Sequence, residues 1–221
     1  MNPSHFVAAL ADMHLPAVFN PYADSCDVHD RSNAVRQRKK NLLLFLEAAL
    51  EARVDTIWVA RDLGYRGGRR TGVPLTDEVH LEQAGQLLGG IDMQRATRGP
   101  VVAERTAAVV WKVLSHIGRP VVLWNVFPFH PHDPGDPFSN RCHTASERDL
   151  TMPLLRSLID MFQPECLVAI GRDAQLALHD IGVPVKTVRH PSYGGQTEFM
   201  ATLYKMYGVK ETAAPQPQLG F

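Results

Sequence analysis

A chain of 221 residues with 45% apolar content can build one sizeable core and is short for two. Its 23 basic and 23 acidic side chains cancel, so no overall charge marks it as a polyanion binder, and phosphate contacts would have to come from a local patch. No segment reaches the roughly 20 apolar residues of a membrane span, and residues 1–12 lack the basic start, apolar run and cleavage site of a secretory leader, so a cytoplasmic protein is expected.

Taken in chain order, Leu42, Leu43, Phe45, Leu46, Ala49 and Leu50 recur at helical intervals and predict a helix over about 33–53, feeding a short buried strand at 56–60. Gly64, Gly67, Gly68 and Gly72 then impose a loop until Thr76, which with Asp77 and Glu78 reads as a helix start. A second amphipathic helix spans 103–117, and a fully apolar strand at 120–125 ends on Asn125. Residues 126–145 form a long loop rich in proline and histidine. Ser146, backed by Glu147 and Asp149, is read as the cap of a helix to about Phe162, with Pro153 disturbing its early turns. A strand at 166–170, a helix at 173–179, a strand at 185–188 and a helix at 196–207 complete the pattern. Short apolar strands alternating with helices require crossover connections. The expected fold is α/β: a single-domain three-layer α/β/α sandwich around a mainly parallel four-stranded sheet, covering 1–210, with a disordered tail at 211–221.

Working residues of such sheets gather in loops after the carboxyl ends of the strands. The first, Arg61-Asp62-Leu63-Gly64-Tyr65-Arg66-Gly67-Gly68, offers a carboxylate able to orient or deprotonate water, although a single Asp after a strand often only caps a turn. It holds no Walker lysine and no clean dinucleotide fingerprint, so no cofactor is expected. At the second, the Asn125 amide donates and accepts at once, which matches one edge of a pyrimidine. The third, Arg189-His190-Pro191-Ser192-Tyr193-Gly194-Gly195, puts an imidazole on a strand end beside an exposed-looking ring. Each residue alone has an ordinary structural explanation. Their convergence on one sheet edge points to a site. Two basic clusters, Arg31 to Lys40 and Arg66 with Arg69 and Arg70, could supply phosphate contacts, and such runs also serve as plain solvated faces.

These three loops, taken with the order of elements over 54–207, resemble the uracil-DNA glycosylase superfamily, and His190-Pro191-Ser192 is their most specific piece. The segment from Arg70 through Thr71, Gly72 and Leu75 to Thr76 is similar to a motif of several bacterial branches. With three cysteines, Cys26, Cys142 and Cys166, the chain lacks the four that the cluster-bearing branches use, and their spacing supports neither a disulfide framework nor a zinc site. The resemblance implies a monofunctional enzyme that flips uracil from DNA and hydrolyses its glycosidic bond, acting as a monomer without a metal. Asp62 and His190 would be catalytic. Arg61, Tyr65, Leu75 and Asn125 would bind the base, and Arg66, Arg69, Arg70, Ser192, Tyr193 and Gly194 the DNA. Leu75 falls near the position of the aromatic that stacks on the flipped base, and motif one lacks the family's usual proline after its catalytic position. Three alternatives stand beside this reading: a binder of uracil-containing or abasic DNA with little turnover, a glycosylase for another damaged base, and a metal-dependent hydrolase using His130, His132 and His143.

Overall fold

The run Ile57-Trp58-Val59-Ala60 is buried without alternation, which a strand tolerates only when helices cover both faces of its sheet. The computed structural model describes residues 1–209 and meets that requirement; the expected tail at 211–221 lies outside the described residues. The amino-terminal part holds α1 (Pro3–Ala11), β1 (Val18–Phe19), α2 (Ala34–Glu51), β2 (Thr56–Asp62), α3 (Gly68–Thr71) and α4 (Leu81–Leu87). The remainder holds α5 (Arg105–Ile117), β3 (Val122–Phe127), β4 (His130–Pro131), α6 (Ala145–Phe162), β5 (Cys166–Ile170), α7 (Arg172–Ala177), β6 (Val185–Val188) and α8 (Gln196–Tyr207). Four strands make one sheet in the order β3-β2-β5-β6, every neighbouring pair parallel. Helix α6 packs on β3 and against α1, which also meets α2, while α5 pairs with α8 beside β6. The result is the α/β/α sandwich expected from the strand–helix alternation. No helix among the described residues is long and apolar enough to cross a membrane.

The core is anchored by Trp58, Trp111 and Trp124, all fully buried. The Trp124 ring tilts against Phe6 at 5.3 Å between centroids, so α1, which the sequence reading left out, closes one face of the sheet. Trp58 meets Phe199 of α8 edge-on at 6.4 Å, and its indole N–H donates to the Tyr207 hydroxyl at 2.9 Å.

Several boundaries differ from expectation. Strands β2 and β3 each run two residues further, to Asp62 and Phe127, because parallel pairing continues with Asp62 opposite Phe127. Asn125 therefore lies inside a strand and not at its end. The proline- and histidine-rich stretch after β3 is not simply a loop: β4 pairs antiparallel with β1, matching Phe19 with His130. Thr76 does not start a helix. Asp77 accepts the N–H groups of Val79, His80 and Glu104, and Glu78 that of Val102, so these buried carboxylates tie turns together and α4 begins only at Leu81. The cap of α6 is Thr144, in a reciprocal capping box with Glu147, and the helix runs through Pro153 unbroken.

Arg38 lies in the basic run of α2 yet is fully buried. Its guanidinium donates to both carboxylate oxygens of Asp30 at 2.9 Å and to the carbonyls of Pro21 and Asp24 at 2.6 Å. Removing one partner of such a pair leaves the other buried and uncompensated, at about 3–5 kcal/mol. Arg38→Met is expected to lower the unfolding free energy in urea by that amount with the m-value unchanged. A loss below about 1 kcal/mol, the range of exposed pairs, would contradict this.

Candidate active site

The extra length of β2 places Asp62 as the last residue of a central strand, held by its backbone register rather than by a loop. Its carboxylate is gripped on both sides. Oδ2 accepts from Arg61 Nε at 2.6 Å, and Oδ1 accepts from Nδ1 of His143, in the segment leading into α6. Arg61 reaches onward with Nη1 to Asp173 Oδ2 at 3.1 Å, in the first turn of α7. Asp62 and His143 are both buried, while Arg61 stays partly open. The carboxylate is thus fixed in place at the carboxyl edge of the sheet, where a polarised water or a developing cation could meet it.

His190 follows β6 at the same edge. It packs where side chains have been removed: a Cβ on Gly171 would stand 3.2 Å from the His190 Cβ, and one on Gly195 only 2.1 Å from its carbonyl oxygen. The backbone N–H of Ser192 donates to His190 Nδ1 at 3.2 Å, so the neutral ring carries its proton on Nε2. Burial, and after it the Arg61 guanidinium, hold the imidazole below its ordinary range, against the opposing pull of Asp173. The ring is therefore set up as a neutral N–H donor.

Both residues open onto one cavity of about 410 Å³, whose walls also include Arg61, Leu75, Glu104, Ser192 and Tyr193. Leu75 is buried with φ 54°, a left-handed conformation that a branched side chain adopts only when its surroundings impose it. Tyr193 stands at the rim with φ 52°, followed by Gly194 at φ 78°, and its side chain is 100% exposed. A fully solvated aromatic ring at the mouth of a polar cavity has no packing role.

The other residues singled out in the sequence fall into different places. Asn125 is buried and does not line the cavity; its amide N–H donates to the Asp62 carbonyl at 3.0 Å, and its Oδ1 has no partner among the described residues. Tyr65 packs near His130 and Phe138 and does not line the cavity. Of the three loop arginines only Arg66 is exposed. Arg69 is buried over the Phe19 ring at 4.0 Å and donates to His130 Nδ1, while Arg70 pairs with Glu78 at 3.3 Å, so in this conformation neither faces a phosphate. The histidines of the metal alternative are each engaged by other groups: the His130 ring lies 5.9 Å from the His132 ring but is held at both ring nitrogens, by Arg69 and the Ser139 carbonyl, His132 Nδ1 meets the Asp133 carbonyl, and His143 is held on Asp62. Among the described residues no group of three or more His, Cys, Asp and Glu side chains is arranged to hold a metal. His143 and Glu104 are the site residues that sequence reasoning missed. His143 was visible only as a candidate ligand, and nothing local in sequence joins it to Asp62.

Wild-type SMUG2 of Pedobacter heparinus shares this fold. The two superpose with a TM-score of 0.63 over 94% of this chain and 97% of SMUG2, at 11% sequence identity. No family model matches the sequence, and no curated protein matches it. The likeness to SMUG2 is carried by the order and packing of elements.

The geometry of His190 has a direct spectroscopic consequence. In nitrogen-resolved histidine spectra it should titrate below the ordinary 6.5 as the Nε2–H tautomer, and Arg61→Ala should move the midpoint up. A midpoint at or above 6.5, or an Nδ1–H tautomer, would contradict the arrangement described.

Proposed function

We propose that the chain is a monofunctional DNA glycosylase that hydrolyses the N-glycosidic bond of uracil in DNA, leaving an abasic site. The observation that carries this reading is the convergence of Asp62 and His190 on one cavity, with Tyr193 fully exposed at its mouth. The fold shared with SMUG2, a member of the uracil-DNA glycosylase family, supports it, as does the resemblance of the three loops.

A base inside a duplex is out of reach, so it must be everted into the cavity for a few kcal/mol of unstacking, least at a mismatch. Tyr193 with Gly194 fills the vacated space, Ser192 and Arg66 hold the backbone, and Leu75 provides an apolar surface for the base. Cleavage of the C1′–N bond leaves positive charge on the sugar and negative charge on the base. Asp62, immobilised by Arg61 and His143, stabilises the cation and directs water to C1′. The Nε2–H of His190 donates to the departing base anion. The proton released by the attacking water passes to solvent or to the freed base, and no covalent bond to the protein forms. No lysine is required, so the strand itself is not nicked. The protein acts as a monomer, without metal or other cofactor, in the cytoplasm.

One observation favours a second reading. Both oxygens of Asp62 are already engaged, which suits a protein that holds uracil or an abasic site with little turnover.

The test is a labelled duplex with one uracil opposite guanine, incubated with EDTA, then treated with alkali and run on a denaturing gel. Cleavage that needs alkali is expected, with a loss of about 10²–10³-fold in His190→Ala and about 10²–10⁴-fold in Asp62→Asn. Binding without turnover under excess substrate would support the second reading. Cleavage only when EDTA is omitted would overturn both.

A further inference from the structure

Glu104 is a polar group in the cavity to which the mechanism above gives no task. It sits just before α5, opposite the glycine loop, and its carboxyl oxygens lie where Cβ atoms of Gly64 and Gly67 would be, 2.3 and 2.0 Å away. Two glycines thus make room for one carboxyl group. Its backbone is fixed by the 2.6 Å bond from its N–H to Asp77 Oδ2, yet no hydrogen bond or salt bridge to its carboxyl is formed among the described residues. A polar group that is positioned, partly buried and unpaired inside a cavity is a group awaiting a ligand. Asn125 and Tyr65 do not compete for this task, since neither lines the cavity. Asn140, the carboxamide that does line it, is exposed, and its oxygen already accepts from the Tyr65 N–H at 3.1 Å.

We propose that Glu104 reads the polar edge of the everted base, its neutral carboxyl group presenting an O–H donor beside a C=O acceptor to a lactam edge. This rests on the glycosylase reading and deepens it: the ligand class is bases carrying adjacent N–H and C=O groups, such as N3–H and O4 of uracil or N1–H and O6 of hypoxanthine. A neutral acid and a lactam close a ring of two hydrogen bonds. A carboxylate has acceptors only and would set one lone pair against the base carbonyl. The surroundings favour the neutral form: burial, then the nearby Asp77 carboxylate, push Glu104 up to about 7, with Arg66 opposing. The other charged and titratable groups near it are His80 on Asp77, and Arg61, Asp62, Arg141, Arg172, Asp173 and His190 around the cavity. Among these His190 is held below its usual range, so its titration belongs to the acid side of a profile and Glu104's to the alkaline side.

The experiment is single-turnover excision of uracil and of hypoxanthine from duplex DNA between pH 6 and 8.5, with saturating enzyme, for the full chain and two variants. In the wild type the rate should fall by about tenfold or more above neutrality as the acid ionises. Glu104→Gln keeps a donor and an acceptor at every pH, so its alkaline fall should disappear and its rate at pH 8.5 should exceed that of the wild type. Glu104→Ala should lose about 10²-fold at all pH values with its thermal midpoint near that of Glu104→Gln. A Gln variant that keeps the wild-type alkaline fall, or an Ala variant as active as the wild type, would overturn the role of Glu104 while leaving the glycosylase reading intact. A wild type that excises neither base at any pH would overturn both.

Discussion

The site depends first on how one carboxylate is held. Asp62 ends a central parallel strand, and its two oxygens are fixed by Arg61 and by His143. A buried carboxylate without partners would be strongly penalised, and one held by both oxygens from separate segments cannot rotate away. His143 brings the segment before α6 to β2, and Arg61 brings α7 through Asp173. The same arginine lies close enough to His190 to help keep that ring neutral. The polar network thus sets the position of the acid and the protonation state of the imidazole together, and disturbing any one member alters the others.

Around this network the structure uses empty space as deliberately as side chains. Gly171 and Gly195 make room for His190 and its backbone, and Gly64 and Gly67 make room for Glu104. The glycine loop that reads in sequence as a break between helix and strand is therefore a wall of the cavity. Its arginines show the opposite effect. Arg69 and Arg70 look like a phosphate patch, but the first stacks on Phe19 and the second pairs with Glu78, so they brace the loop from within. Of the three loop arginines only Arg66 is left exposed.

The sheet was legible because its strands are short apolar runs between helical repeats, and β5, β6 and α8 were located closely from that pattern alone. That Asp62 and His190 come to one cavity at the sheet edge was legible because both lie at or just after the carboxyl ends of strands that share that edge in a parallel sheet. What could not be read depended on contacts between distant segments. The extension of β2 and β3 follows from parallel register, which no local pattern encodes, and it moved Asn125 into the sheet. The charge on Asp77 and Glu78 suggested a helix start, whereas both are buried acceptors for backbone groups around residue 100. The pairing of His143 with Asp62 spans 81 residues, and Glu104 stands out only when its glycine partners are seen in space.

The central claim is that this cavity receives a base turned out of DNA, with Asp62 and His190 on either side of the bond to be cut. The most direct measurement is a crystal structure of the Asp62→Asn variant bound to a duplex containing a single uracil. The account expects the uridine everted into the cavity beside Leu75, its base within reach of His190 Nε2, and Tyr193 in the vacated space. A uracil left stacked in the duplex, or a nucleotide bound elsewhere with the cavity unoccupied, would contradict it.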